Sequence, residues 1–358
     1  MIRPFLSKLA RGEDLSEGEM VEAMEAITAG EATPAQIGAF LMGLRIKGLT
    51  VDELVGAARV MRARTAPIRG PARVLLDRDE INIDEETILD TTGTGGSGTS
   101  TFNVSTATAF VVAACGVPVA KHGTRAVSSL CGSADVLTAL GVELDISPSG
   151  VEDCLRTVGI AFFYEPLFHS TMRHVAGPRK QLGVRTLFNL VGPLANPAGA
   201  RHQVLGTYSA EVARLVAEAL QRLGTKRAMV VHGEDGMDEI TVCGRTLVLE
   251  LRGGGIEEYT IEPGDFGMRR AEPAEVRGGD ARENAEIIRR VLAGEPGAPR
   301  DVVLLNAGAA LYVAGVTGTM AEGVERAARA VDSGEARAKL DALVERTRHL
   351  ADRWCREL

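Results

Sequence analysis

Asp90-Thr-Thr-Gly93-Thr94-Gly95-Gly96-Ser97-Gly98-Thr-Ser-Thr101-Phe-Asn103-Val-Ser105-Thr106 is the stretch from which the fold can be read. Ahead of it, Glu86-Thr-Ile-Leu-Asp-Thr91 predicts a short strand; behind it, Ser105–Ala114 opens as a buried helix. Between them stand four glycines and five hydroxyl residues. Glycine lets the backbone approach a ligand closely. A helix N-terminus behind such a loop presents unpaired N–H groups and the positive end of a dipole. Successive N–H groups of this kind form an anion-binding concavity, so the stretch reads as a cradle for phosphate or pyrophosphate.

Two better-known phosphate motifs do not fit. Gly93-x-Gly95-x-x-Gly98 has the glycine spacing of a dinucleotide fingerprint, which also requires an acid about 20 residues on. The chain there reads Gly116-Val-Pro-Val-Ala-Lys-His-Gly123, which is basic. No Gly-Lys-Ser/Thr follows the loop, so the Walker pattern fails as well. A plain flexible turn accounts for the glycines but not for the hydroxyls or the strand–loop–helix setting.

Working outward, the period is that of an α/β protein. Strand-like Gly116–Ala120, Ile160–Tyr164, Val204–Thr207 and Ala228–Val231 alternate with helical Ala134–Leu140 and Ala210–Leu223. Thr246–Leu251 and Glu257–Ile261, split by Gly253-Gly-Gly255, predict a hairpin. Helices are expected at Ala281–Leu292, Val302–Val313, Ala321–Val331 and Glu335–Trp354. The first 65 residues read as small helices with clear punctuation. Ser16-x-x-Glu19 and Thr50-x-x-Glu53 are capping boxes, Thr33-Pro34 opens a helix, and Gly30 and Gly48 close two. Phe40, Leu41 and Leu44, with Met42 and Ile46, make the middle helix apolar on more than one side, as a buried helix or a subunit interface would be. A charged linker, Leu75–Glu86, follows. The expected architecture is a small all-helical domain over 1–70, completed by about 170–190, and a large α/β domain with a mainly parallel sheet over 75–358.

Composition narrows the function classes. The 358 residues carry a formal net charge of −8, which argues against a nucleic-acid or anionic-membrane surface. Five widely spaced cysteines, with no Cys-x-x-Cys, fit reduced thiols in a cytosol. The N-terminal Met-Ile-Arg-Pro-Phe-Leu-Ser-Lys lacks the apolar core of a secretory signal. The expectation is a soluble, cytoplasmic protein with no membrane partner.

Three further segments bear on chemistry. Lys121-His122-Gly123-Thr124-Arg125-Ala-Val-Ser128-Ser129 reads as a cationic turn after the second strand, where parallel sheets gather ligands. His169 and Arg173 are expected to share a helix face, with Arg179 beyond a break at Gly177-Pro178, and one of these arginines suits a carboxylate. Gly233-Glu-Asp-Gly-Met-Asp238-Glu239 places two vicinal carboxylates in a loop, a fit for Mg²⁺ with substrate phosphates. Gly278-Gly279-Asp280 and Leu305-Asn306-Ala307 read as a helix start and a packed helix. Together the pieces describe a pyrophosphate cradle, a cationic wall, a metal-holding pair and an arginine for a second anion. That suits transfer of a group from a pyrophosphorylated donor to a carboxylate-bearing acceptor. No Ser–His–Asp or Cys–His arrangement is evident, and no residue is singled out as a catalytic acid, base or nucleophile.

With those residues in place, the chain resembles the anthranilate phosphoribosyltransferase family of tryptophan biosynthesis. The likeness rests on Gly93-Thr-Gly-Gly96, Thr101-Phe-Asn-Val-Ser105, Lys121-His-Gly123, Arg125-Ala-Val-Ser-Ser129, Gly132-Ser-Ala-Asp-Val-Leu137, Gly183-Val-Arg-Thr-Leu-Phe-Asn-Leu-Val-Gly-Pro-Leu-Ala-Asn-Pro197 and Asp235-Gly-Met-Asp-Glu239. The resemblance implies phosphoribosyl pyrophosphate (PRPP) as donor and Mg²⁺ as cofactor, held by Asp238, Glu239 and Ser105. It implies PRPP contacts at Gly93, Thr94, Gly95, Gly96, Ser97, Thr101, Asn103, Ser105, Thr106, Lys121, Ser129 and Ser133. Anthranilate is implied beside Gly93, His122, Thr124, His169, Arg179 and Gly192, and a homodimer through the helical domain. The chain departs from the family pattern at Ser97 (usually Asp), Thr124 (usually Asn), Glu165 (usually Ala) and Ser170 (usually Pro). Those departures keep other readings open: transfer to another aromatic amine, or a PRPP-binding paralogue without activity. The acidic pair speaks against a third, a pyrimidine nucleoside phosphorylase, which needs no metal.

Overall fold

Four N-terminal helices form where their boundary residues direct. They are α1 (Arg3–Ala10), α2 (Glu17–Thr28), α3 (Pro34–Lys47) and α4 (Val51–Ala63). Ser16 Oγ accepts from Glu19 N at 3.3 Å while Glu19 Oε2 accepts from Ser16 N at 2.9 Å. Thr33 with Gln36 and Thr50 with Glu53 repeat the device on α3 and α4. The sequence reading did not single out α1, whose Phe5 and Leu9 turn inward. The computed structural model describes residues 2–65, 87–95, 98–126 and 130–357. The expected linker Leu75–Glu86 and the boundary between 70 and 75 therefore lie outside the described residues.

The α/β part begins at β1 (Leu89–Gly93) and runs through α5 (Val104–Ala114), β2 (Val119–Gly123), α6 (Ser133–Leu140), α7 (Pro148–Val158) and β3 (Ile160–Tyr164). Three helices follow: the short α8 (Glu165–Phe168), α9 (Arg173–Leu182) and α10 (Leu187–Leu194). Then come β4 (His202–Gly206), α11 (Ala210–Arg222), β5 (Arg227–Gly233), β6 (Thr246–Arg252) and β7 (Gly255–Ile261). Helices α12 (Ala281–Leu292), α13 (Ala298–Val313), α14 (Met320–Asp332) and α15 (Glu335–Glu357) close the chain. Among the described residues one seven-stranded sheet forms, in the order β3-β2-β1-β4-β5-β6-β7. The first five strands are parallel and the last two antiparallel. After β1 the chain steps one way to β2 and β3, then crosses back to β4 on the other side. A crevice opens at such a reversal, outside the carboxyl ends of the strands. The glycine loop leaves β1 at that point.

Strands β1 to β6 are largely buried on both faces, so successive residues feed opposite cores, whereas the edge strand β7 is largely exposed. Val204, Met229, Val231 and Val248 join the core built on α5 and α13. Their neighbours Leu205, Ala228, Val230, Leu249 and Leu251 join the core that α11 and the N-terminal helices share. Helix α9 packs on α2 and α3, and α10 on α3 and α4, so the bundle takes in residues from the later segment. At the sheet edge the hairpin turns at Gly253 and Gly254, both with positive φ, as a two-residue turn demands.

Three expectations are corrected. Lys121 and His122 do not form a turn; they are strand residues of β2, 3% and 5% exposed. The apolar run Gly116–Ala120 suggested a strand ending too early, because the buried polar groups beyond it are held by partners described below. His169 and Arg173 do not share one helix: His169 caps α8, and a 3₁₀ turn, Ser170–Met172, separates it from α9. Nor does Pro178 break the chain. Proline forfeits one helical bond, but α9 continues to Leu182 because Val175 and Pro178 are buried against the bundle.

Candidate active site

The crevice is floored by two glycines that pair across the central strands, Gly93 of β1 and Gly206 of β4. A Cβ on Gly206 would lie 1.6 Å from the Asp238 carbonyl oxygen, and one on Gly93 2.6 Å from Asp238 Oδ2. Only glycine at both places lets the loop after β5 descend onto the strand ends. The glycine loop then meets it directly. Gly95 N, at a residue with φ +67°, donates to Asp238 Oδ2 at 2.9 Å, and Ser105 N at the start of α5 donates to Glu239 Oε1 at 3.3 Å. Residues some 140 positions apart in sequence are thereby one site. Asn306 of α13 fixes the acidic loop: its Oδ1 accepts from Ile240 N at 3.0 Å and its Nδ2 donates to Ile240 O at 2.8 Å.

Lys121 lies beneath the loop. Its ammonium donates to Thr91 O at 2.7 Å and to Ser105 Oγ at 3.1 Å. Burial lowers its pKa, and the charges of Asp90 and Glu239 offset part of that effect. Glu239 is pushed up to about 8, by burial first and by the charge of Asp238 second. Two adjoining carboxylates, one of them driven toward its neutral form, make a pocket short of positive charge. With Ser105 Oγ they form an all-oxygen set of the kind Mg²⁺ accepts. Among the described residues no cluster of three or more His, Cys, Asp and Glu side chains competes as a metal site.

The far wall of the cradle is held by the segment before α12. Gly278 N donates to Ser100 O at 2.7 Å, Thr101 bridges to Arg277, and Asn284 Nδ2 donates to Asn103 Oδ1 at 3.0 Å. Thr94 Oγ1 and Thr106 Oγ1 are buried without a hydrogen-bond partner among the described residues. Ser133 Oγ reaches Thr124 O at 3.5 Å. Gly96, Ser97 and Ser129 lie outside the described residues.

On the other side of β2, the rings of His122 and His169 approach to 5.2 Å between centroids, and both Nε2 atoms are buried without a partner among the described residues. Burial brings His122 down to about 3 and His169 to about 4, so both rings are neutral. Thr65, at the end of α4, meets His169 Nδ1 at 3.3 Å. Arg179 lies 5.4 Å over the Phe188 ring. Thr124 and Glu165 leave the paired strand ends Gly123 and Tyr164 together, and burial raises the Glu165 carboxyl above its ordinary range.

Several supports escaped the sequence reading. Asp90 Oδ2 accepts from Asn196 Nδ2 at 2.7 Å, and its other oxygen accepts from His122 N at 3.4 Å. Asn196, Asn284, Gly206 and Thr65 carry no local signal, since each acts through a residue distant in the chain. Asn306 and Gly278 were noted only as structural.

The chain is similar to known proteins over nearly its whole length. Residues 85–337 match the glycosyl transferase family, a/b domain, and residues 3–65 match the helical bundle domain of the same family. The anthranilate phosphoribosyltransferase of Trichlorobacter lovleyi is 54% identical over 344 residues, 96% of this chain and 99% of that protein. The crystal structure of the anthranilate phosphoribosyltransferase from Thermus thermophilus matches with a TM-score of 0.87 and 43% identity, covering 96% of this chain and 99% of that one. The Saccharomyces cerevisiae enzyme in complex with PRPP and Mg matches with a TM-score of 0.86 and 27% identity, over 97% of this chain and 98% of its own.

Proposed function

The chain belongs to the anthranilate phosphoribosyltransferases of the glycosyl transferase family, and from that premise we infer that it moves the phosphoribosyl group of PRPP onto the amine of anthranilate, releasing pyrophosphate. One observation carries the reading: Gly95 N on Asp238 and Ser105 N on Glu239 bring the phosphate loop and the acidic pair to one point. In the reaction the amine nitrogen bonds to ribose C1 as the C1–oxygen bond to diphosphate breaks, and the amine proton goes to solvent or to the neighbouring carboxylate. The glycine loop and the α5 N-terminus offer N–H groups and a positive dipole end to the departing diphosphate. Asp238, Glu239 and Ser105 would hold Mg²⁺. Once bound, the ion would neutralise charge building on the diphosphate. Neutral His122 and His169 line a dry acceptor pocket in which Arg179 is the cation for the carboxylate.

The purified chain, given PRPP, MgCl₂ and anthranilate, should consume anthranilate and release pyrophosphate in equal amounts. EDTA should stop the reaction and excess Mg²⁺ restore it. Absence of turnover with anthranilate in the presence of Mg²⁺ overturns the assignment.

The organisation follows the same reading. A helical unit over 1–70, completed by about 170–190, is joined to an α/β unit over 75–358, and copies of the chain associate as a homodimer through the helical unit. No helix among the described residues is long and apolar enough to cross a membrane, and the reaction belongs with cytoplasmic biosynthesis.

A further inference from the structure

Helix α12 starts on a fully bonded cap. Asp280 Oδ1 accepts from Arg282 N at 2.8 Å and from Glu283 N at 2.9 Å, and Glu283 Oε2 accepts from Asp280 N at 3.0 Å. Asn284 follows, 2% exposed, with its backbone N–H on Asp280 O at 2.9 Å. Its side chain has one workable orientation. Gly279 N, which can only donate, reaches it at 2.8 Å, so the atom facing that N–H is Oδ1. A Cβ on Gly278 would sit 2.5 Å from this oxygen, and glycine leaves it room. The Nδ2 end is thereby turned to Asn103, whose Oδ1 accepts from it at 3.0 Å.

Asn103 inherits that orientation. It stands just ahead of α5, where an asparagine ordinarily spends its side-chain carbonyl on the second or third N–H of the helix. Here it makes no such bond, and the second N–H, that of Ser105, goes to Glu239 instead. With Oδ1 engaged, Asn103 has only its NH₂ group to offer. One hydrogen goes to Cys131 O at 3.4 Å, and among the described residues the other is unspent. A reversed amide would turn a carbonyl oxygen outward, which repels an anion.

We propose that Asn284 is a positioning residue for the donor: through one side-chain bond it holds the Asn103 amide so that an N–H, and not a carbonyl, meets the diphosphate. The proposal rests on the function proposed above, and within it on Asn103 as a contact of PRPP. Asn284→Asp is the decisive variant. Its carboxylate still accepts from Gly279 N but gives Asn103 no hydrogen, so the Asn103 amide reverses. Asn284→Ala, which removes the bond without adding charge, is the second variant should the first fail to fold.

Steady-state kinetics of Asn284→Asp should show KM for PRPP rising by about tenfold or more. Ki for pyrophosphate as product inhibitor should rise by a similar factor, with KM for anthranilate unchanged at saturating PRPP. Asn284→Ala should move the same constants in the same direction, by less. Asn103→Ala should also raise KM for PRPP, and in that background neither Asn284 variant should add to it. If Asn103→Ala leaves KM for PRPP unchanged, the assignment of Asn103 to the donor fails and the proposal with it. If Asn103→Ala raises it while the Asn284 variants leave it unchanged, the proposal alone is overturned. An Asn284 effect that persists without Asn103, or that falls equally on anthranilate, also overturns it, since the side chain would then act on the fold at large.

Discussion

His122 and His169 are held neutral by burial, His122 further by the neighbouring imidazole, at about 3 and about 4 against an ordinary 6.5. The unfolded chain therefore takes up two protons below about pH 6.5 that the folded chain refuses until about pH 4. Their contribution to stability is complete above pH 6.5 and is lost as pH falls, by on the order of 2 kcal/mol per ring at pH 5. Asp90 at about 6 and Glu239 at about 8 act with the opposite sign. Urea unfolding of the parent and of a His122→Asn/His169→Asn variant between pH 7 and 5 isolates the rings, because both carboxylates are common to the two proteins. The variant should lose less stability over that interval; equal losses would mean the rings are hydrated and ionise normally. At this scale the sequence misjudged the setting of several side chains it named. Lys121 read as part of a turn because a strand has no local reason to carry buried Lys-His. Its partners Thr91, Ser105, Asp90 and Glu239 come from other parts of the chain.

Elements whose ends are written locally were legible: the boxes at Ser16 and Thr50, the Thr33-Pro34 helix start, the hairpin at Gly253-Gly254, and the helix after Asp280 all formed where their residues indicated. Elements settled by tertiary contact were not. Helix α9 runs through Pro178 because the bundle buries it, and β2 extends to Gly123 because its polar end is paired inside. The stretch before α12 shows how an element read as a simple helix start can shape a site. Gly278 packs against the backbone of Phe102, and a Cβ there would sit 2.6 Å from Phe102 N and Cα. Backbone cannot swing aside as a side chain does, so Gly278→Ala must push the Ser100–Asn103 stretch out of place. Overpacking of this sort costs about 1–3 kcal/mol. KM for PRPP should rise by about tenfold or more, with a smaller effect on KM for anthranilate. Equal effects on both substrates, or none on PRPP, would show that this stretch does not shape the donor site.

At the scale of the whole molecule, the order β3-β2-β1-β4 sets the chemistry. Because the chain reverses at β1, the glycine loop and the loop after β5 share one crevice, and neither could form it alone. Alternation of strands and helices made the sheet legible, and the reversal makes the site. Among the described residues four large apolar side chains are exposed: Ile46 and Val184 on the helical side, Leu130 and Trp354 elsewhere. Phe40, Leu41 and Leu44 of α3 are fully buried by their own neighbours, yet Ile46, on the same helix, is 80% exposed, and Val184, just beyond α9, is 42% exposed. Between α3, α10 and α11 runs a groove of mixed character, with Leu49, Leu187 and Leu215 beside Arg45, Arg185 and Glu211. The dimer proposed above would seat its second copy on the helical side, where Ile46 is the most exposed of those four groups. Ile46→Glu puts a charge on that surface while leaving the core residues of α3 untouched. Sedimentation equilibrium should find the parent as a dimer and the variant shifted toward monomer, with an unchanged thermal midpoint at concentrations where the parent is itself monomeric. A variant that remains dimeric at the parent's affinity would move the interface away from the end of α3.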